Sequence, residues 1–249
     1  MRLIELEDTH WFPEVLREQQ LGYIGWLVKF LDIYRPLNRN LPTWLKESNR
    51  HYVFDLCSGS GEPMISLTRS ISENIDVTLS DKFPLHRSDR SSSLSYISNS
   101  IDVLALDFDT DKYYTMFNAY HHFDKDDQRD IVKRLTKKGA PFCFVEILTP
   151  NLLTILKVIF INTLGQFILA PFVKPFSITR LLFTYLLPIN ILTTTYDGVI
   201  PVLISKNNKQ YQTLLSGLSS DGYEIDIASL SAPYFNQLTI IRGFPIYQS

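Results

Sequence analysis

The sequence predicts a doubly wound, mostly parallel α/β sheet of seven strands, on three observations. The first is the stretch HYVFDLCSGSGEP, His51 to Pro63. Its Tyr52, Val53 and Phe54 suit a strand buried on both faces, and Asp55 stands where that strand ends. Gly59 and Gly61 allow a sharp turn and a close ligand approach to the main chain, and Glu62 and Pro63 suit the first turn of a helix through Met64 to Ile71. The second observation is spacing. A strand from Ile75 to Ser80 closes on Asp81, about 20 residues beyond the glycine turn, where an acid commonly takes ribose hydroxyls. The third is recurrence: strand-like runs at Ile101 to Leu106, Tyr114 to Asn118 and Pro141 to Ile147 precede a final antiparallel pair, Tyr223 to Leu230 and Gln237 to Gly243, joined through Ala232 and Pro233.

A strand, a glycine turn and a helix N-terminus make a nucleotide-sized pocket mouth. The turn lacks the dinucleotide pattern, because position 57 is cysteine and no glycine follows three residues after Gly61. An acid followed by small residues at alternate positions, Asp55, Cys57, Gly59 and Gly61, resembles the first motif of the class I S-adenosylmethionine-dependent methyltransferases. Cys57 is the one departure, and cysteine is small enough for the place. The resemblance extends to Asp81 after the second strand, Asp107 after the third and Asn118 after the fourth. It covers most of His51 to Leu148 and the C-terminal strands, and not the segment between.

The resemblance implies a Rossmann-like methyltransferase sheet with N-terminal helices and a helical insertion after strand five. It implies S-adenosyl-L-methionine as cofactor, leaving S-adenosyl-L-homocysteine. Its donor-binding residues would be Asp55, Cys57, Ser58, Gly59, Gly61, Asp81, Lys82, Asp107, Phe108, Asn118 and Ala119. Asp107 would sit over the adenine and accept from the exocyclic amine; the competing reading makes Asp107, Asp109 and Asp111 turn residues.

The 249 residues, 45% of them hydrophobic, suffice for one α/β domain with an elaboration. We divide it into an N-terminal helical cap (1–50), a cofactor-binding core (51–148), an apolar helical lid (149–220) and the C-terminal strand pair (221–249). The formal charge, 24 minus 26 or −2, comes without a run of lysine or arginine, which gives a nucleic-acid partner no support and favours a small-molecule acceptor. Cys57 and Cys143 both fall in core elements, as reduced thiols of a cytoplasmic protein do. The start MRLIELEDTHWF has acids where an export signal needs an apolar run.

Along the chain, Glu14 to Tyr34 reads as a helix ended by Pro36, with a short second helix around Pro42. Such helices in the resembled family lie over the cofactor; the plainer reading is that Trp11, Phe12, Tyr23 and Trp26 pack them on the sheet. Ser88, Ser91, Ser92, Ser93, Ser95, Ser98 and Ser100 mark a solvated loop. Asn118 to Phe123 reads NAYHHF, and ligands of an open sheet bind outside the strands' carboxyl ends, where Asn118, His121 and His122 fall. Histidine works as a base near neutral pH, which makes His121 and His122 the catalytic candidates for removing an acceptor proton; a helix-capping role is the alternative. Glu146 either reaches the pocket or closes the fifth strand. No metal is expected, since the two histidines are adjacent and His10, His51 and His86 are scattered. Asn207 to Leu218 reads as a further helix.

Leu152 to Tyr196 is the least ordinary segment. No charge occurs between Lys157 and Lys174, or between Arg180 and Asp197. Asn162, Gly165, Gln166, Pro171, Pro188 and Asn190 interrupt runs already shorter than a membrane span. The segment reads as a lid for a hydrophobic or lipid-like acceptor. Lys157, Lys174 and Arg180 would sit at a membrane interface, peripheral at the inner face, with Phe160, Phe167, Phe172, Phe176, Phe183 and Tyr185 in the acyl boundary. Buried cover or a homodimer contact through 152–196 is the alternative. A Tyr196-Asp197-Gly198 turn would return polar groups to the rim. Two other functional classes fit the same motif: a nicotinamide-dependent enzyme, and a binding or accessory protein that keeps the fold without turnover.

Overall fold

The computed structural model describes residues 3–85 and 93–246. Strands β1 (Tyr52–Leu56), β2 (Asp76–Leu79), β3 (Leu94–Tyr96), β4 (Lys112–Phe117), β5 (Phe142–Glu146), β6 (Tyr223–Ala232) and β7 (Asn236–Pro245) form one sheet in the order β3-β2-β1-β4-β5-β7-β6. β1 to β5 run parallel and β7 runs antiparallel to both its neighbours. This is the doubly wound, seven-stranded methyltransferase-type sheet that the sequence predicts, and its order reverses between β1 and β4.

The third strand is not where the sequence placed it. Leu94–Tyr96, inside the serine-rich stretch, pairs with Val77, Thr78 and Leu79; Ser88, Ser91 and Ser92 lie outside the described residues. Ile101 to Leu106 is irregular, because other groups take its backbone. Ile101 N donates to Asp81 O at 2.9 Å, and Arg134 donates to the carbonyls of Val103 and Leu106 at 3.0 Å each.

Helices α1 (Glu14–Phe30) and α2 (Leu37–Ser48) precede the sheet, α3 (Met64–Leu67) follows the glycine turn, and α4 (Lys125–Lys138) links β4 to β5. α1 stops short of Tyr34 because Asp32 turns left-handed, at φ 48°. The strands alternate their side chains between two cores, as a sheet covered on both faces must. Cys143 and Val145 face α2 and α3, whereas Phe142 and Phe144 face Ile131, Val132 and Leu135 of α4.

After β5 come α5 (Leu152–Phe160), α6 (Gln166–Leu169), α7 (Ile178–Leu181), α8 (Ile189–Ile204) and α9 (Asn208–Leu214). A π turn at Ile161–Gly165 joins α5 to α6, so Leu152–Phe172 is one helical stretch of 21 residues, long and apolar enough to cross a membrane by length and composition. The expectation of broken, short runs is corrected on that point. Asn162 and Gln166 do not interrupt the helix, because they turn inward and are buried. Tyr196-Asp197-Gly198 is no turn either: it lies inside α8, where a Cβ at Gly198 would stand 2.2 Å from Asn162 Nδ2. α9 packs Tyr211 into the α4-side core.

Asp55 ties the switch point together. Thr115 Oγ1, on β4, donates to its Oδ1 at 2.6 Å, Ser58 Oγ donates to Oδ2 at 2.6 Å, and Ser80 N, after β2, donates to its carbonyl at 2.9 Å. Burial lifts this carboxyl to about 7 against the two hydroxyl donors, which hold it down.

Two expectations follow from these contacts. A Cβ at Gly25 of α1 would stand 2.1 Å from Ser60 Oγ and 2.8 Å from Ser60 Cβ in the glycine turn, whereas one at Gly22 meets only Arg180 Nη2 at 3.6 Å. Gly25→Ala should therefore destabilise by about 1–3 kcal/mol in thermal or urea unfolding, while Gly22→Ala should be neutral or gain up to about 1 kcal/mol from helix propensity. The folded Asp55 carboxyl binds its proton more tightly than the unfolded one. Its contribution to stability therefore falls as pH rises from about 4 to about 7, by up to about 4 kcal/mol, and is flat above. The stability difference between wild type and Asp55→Asn, measured across that range, should carry this slope; a pH-independent difference would remove the assignment.

Candidate functional site

β1 delivers the chain into a turn that needs left-handed backbone repeatedly: Cys57, Gly59 and Gly61 have φ of 53°, 49° and 82°. Cysteine at the first of these is strained where glycine would be relaxed. Burial and the Asp81 charge push the Cys57 thiol far up, so it holds its proton and is no nucleophile.

Above the carboxyl ends of β1 and β4 lies a cavity of about 480 Å³. Of the expected residues, Cys57, Ser58, Gly59, Asp81, Lys82, Asn118, Ala119 and His122 are on its wall. Asp81 accepts from Gly59 N at 2.7 Å and from Phe83 N at 2.8 Å, which ties the turn to the end of β2 and leaves lone pairs for a ligand. Burial raises its pKa, and those two amides oppose the rise. Asn118, left-handed at φ 49°, donates its N–H to Val145 O at 2.7 Å and accepts from Ile147 N at 3.3 Å.

Five expected residues stand elsewhere. Asp55 lies beneath the turn, 2% exposed. Gly61 is required by packing, since a Cβ there would meet Ile65 Cδ1 at 2.7 Å and Leu79 Cδ1 at 3.0 Å. Asp107 points to solvent and pairs with Lys138 at 2.9 Å, and Phe108 is core, edge-on to Tyr114. With no strand at Ile101–Leu106, this part of the cavity rim falls to Ile101, Asp102, Val103 and Leu104, with Asp102 paired to Lys82 at 2.8 Å. His121, 2% exposed, stands behind the wall.

The far wall is one that the sequence did not announce. Leu3, Ile4, Glu5, Glu7 and Asp8 fold over the cavity. Arg17 donates to Glu7 O at 2.9 Å and to Thr9 O at 2.7 Å, and the Asp197 carboxylate accepts from Leu6 N at 2.6 Å, Glu7 N at 3.1 Å and Gln20 Nε2 at 2.7 Å. Burial lifts Asp197 to about 6 against these donors. The histidines meet this segment. His122 Nδ1 lies 2.7 Å from Asp8 Oδ2 and its Nε2 3.3 Å from Glu5 Oε1. His121 Nδ1 lies 2.5 Å from Glu146 Oε2, whose partner oxygen accepts from Tyr120 N at 2.8 Å. Burial disfavours charge on both rings, but the facing carboxylates outweigh it and raise both pKa values. Only the acids of ELEDTH and the lone Glu146 hinted at these partners in sequence.

No family model matches the chain, and no curated protein matches it. Among solved structures it is similar to human N-acetylserotonin methyltransferase in complex with S-adenosylmethionine, with 13% identity over 83% of this chain and 51% of that one and a TM-score of 0.48. It is also similar to PigF with S-adenosylhomocysteine, at 14% identity over 94% and 62%, TM-score 0.49. A third is NcsB1, an O-methyltransferase from neocarzinostatin biosynthesis, at 12% identity over 80% and 50%, TM-score 0.42. The chain thus spans about half the length of the first and third. At such identities and scores the likeness carries no functional argument.

Proposed function

We propose that the protein transfers a methyl group from S-adenosylmethionine to a small, lipophilic acceptor. One observation carries the reading: a single cavity runs from the Gly59–Asp81 turn, at the nucleotide end of an open α/β sheet, to the inner side of the apolar insertion. Asp81 would take the ribose hydroxyls, Ile101, Val103 and Leu104 the adenine, and Asn118 and Ala119 the methionine end. The sulfonium methyl would then face Glu5, Asp8 and His122. Methyl transfer disperses positive charge, so the chain's work is to align the acceptor in line with the sulfur, exclude water and, once His122 has lost the proton its facing carboxylates favour, take up an acceptor proton there.

The acceptor's character is read from the insertion, whose amphipathicity is inverted. Asn162, Gln166, Arg180, Thr184, Asn190, Thr194 and Asp197 are buried. They bond inward, as Asn162 Nδ2 does to Thr194 O at 2.9 Å and Asn190 Nδ2 to Gln19 Oε1 at 2.7 Å. Leu153, Leu156, Phe160, Phe167, Phe172 and Leu186 are 50% or more exposed. A contiguous apolar outside on helices whose insides are polar fits a lipid surface better than solvent. A crossing of the membrane by Leu152–Phe172 alone would strip Asn162 of its bond to Thr194 and bring Gln166 out of its burial into lipid, so the helices lie on the surface. Arg180, which donates to Val173 O and Pro175 O, is buried and anchors no headgroup.

Calorimetric titration with S-adenosylmethionine and S-adenosylhomocysteine should show micromolar binding of both, and its absence would overturn the reading. Asp81→Ala should weaken donor binding by about 10- to 100-fold, through loss of the acceptor for a buried diol. His122→Asn should lower turnover at saturating donor while leaving donor affinity nearly intact. In a flotation assay the protein should rise with anionic phospholipid vesicles, and Phe160→Glu with Leu186→Glu should abolish this; wild-type protein that stays at the bottom would reduce the insertion to structural cover.

A further inference from the structure

We propose that Glu5, His121 and His122 bind one divalent transition-metal ion, with an open coordination position on the cavity. Glu5 Oε1 lies 3.5 Å from His121 Nε2 and 3.3 Å from His122 Nε2. One ligand atom from each of the three residues lies within 4.8 Å of the others. Ligands held about 2.0–2.2 Å from a tetrahedral ion stand about 3.3–3.6 Å from one another, and the two separations from Glu5 to the histidines match that spacing.

The supports behind the rings point the same way. Each imidazole offers its Nδ1 to a carboxylate, His121 to Glu146 at 2.5 Å and His122 to Asp8 at 2.7 Å. A metal ion would displace the proton that Glu5 favours on each Nε2, while Nδ1 keeps its own proton on the carboxylate behind it. Glu5 Oε1 and His121 Nε2 are fully buried, and neither has a hydrogen-bond partner. Two buried polar atoms without hydrogen-bond partners, 3.5 Å apart, are costly, and a cation between them would relieve both. Carboxylates behind the distal ring nitrogens are the usual outer shell of a histidine-bound metal.

The donor set narrows the ion. Two imidazoles and one carboxylate suit zinc, or iron in its divalent state, over magnesium or calcium, and three protein ligands leave a position open. Glu5 and His122 line the cavity and His121 lies behind them, so the open position faces the space assigned above to the acceptor. The site stands whether or not methyl transfer is the reaction, because it rests on the three ligands and their supports alone.

The test is titration of the chelator-stripped, full-length protein with Co²⁺, read by visible d–d absorption and equilibrium dialysis, followed by displacement with Zn²⁺. One Co²⁺ per chain is expected. Glu5→Gln and His121→Asn should each weaken binding by more than about 100-fold, and Asp8→Asn, which removes only a ring support, by about 10- to 100-fold. Circular dichroism and donor binding report whether each variant is folded, and Glu5→Gln, on the N-terminal segment, keeps the test decisive should His121→Asn fail to fold. Wild-type protein that takes up no stoichiometric Co²⁺, or Glu5→Gln protein that binds it as tightly as wild type, would overturn the proposal; the first result would leave protonated imidazoles as the partners of Glu5.

Discussion

The buried Asp55 carboxylate is the constraint on which the rest depends. It stands at the end of β1, and Thr115 of β4, Ser58 of the glycine turn and Ser80 after β2 all bond to it or to its carbonyl. An apolar side chain would fill the space at lower desolvation cost, but it would not fix the spacing of β1 and β4 where the sheet order reverses. The turn above it inherits that precision. Asp81 bonds back to Gly59, and Gly25 lets α1 lie directly on Ser60, so the roof of the cavity is placed by the same turn that forms its floor.

The cavity is closed by parts of the chain that are far apart in sequence. Leu6 and Glu7 reach Asp197 across 191 and 190 residues, and Gln20 joins them to it across 177. Arg17, stacked over Phe83, holds the carbonyls on the other side of the segment. Bonds of this kind between a charged carboxylate and buried amides are among the stronger ones in a protein. They make the N-terminal segment and the insertion one unit. Both would have to move together for a ligand to enter past Leu3 and Ile4.

The insertion reverses the ordinary arrangement of a soluble helix pair. Burial of a leucine or phenylalanine side chain is worth about 1.5–3 kcal/mol, and here many such side chains are left outside while asparagines, a glutamine and threonines are kept in. Single exposed apolar residues are normal on a protein surface, but a contiguous face of them is not. Asn162 bonds to Thr194 and Asn190 to Gln19, so inward polar side chains tie the insertion to itself and to α1.

The sheet was legible in the sequence because parallel strands covered on both faces are continuous runs of apolar and β-branched residues, as in YVF, YYTMF and FCFVE, and because Gly59, Gly61 and Asp81 keep a spacing that the β1-turn-β2 unit demands. β3 was not, since a three-residue edge strand with a serine at its centre has no such signature, and misplacing it carried Asp107 and Phe108 into a site that Asp102 and its neighbours occupy. The histidines were visible as residues of a loop at the carboxyl edge of the sheet. Their partners were not, because Glu5, Asp8 and Glu146 come to them from 116, 114 and 25 residues away. The sequence by itself determined six of the seven strands and where the glycine turn lies, both being local consequences of side-chain shape and spacing. The tertiary structure alone decided which carboxylates face which imidazoles and which side of each insertion helix is inward, because these depend on how distant segments pack and not on any neighbour along the chain.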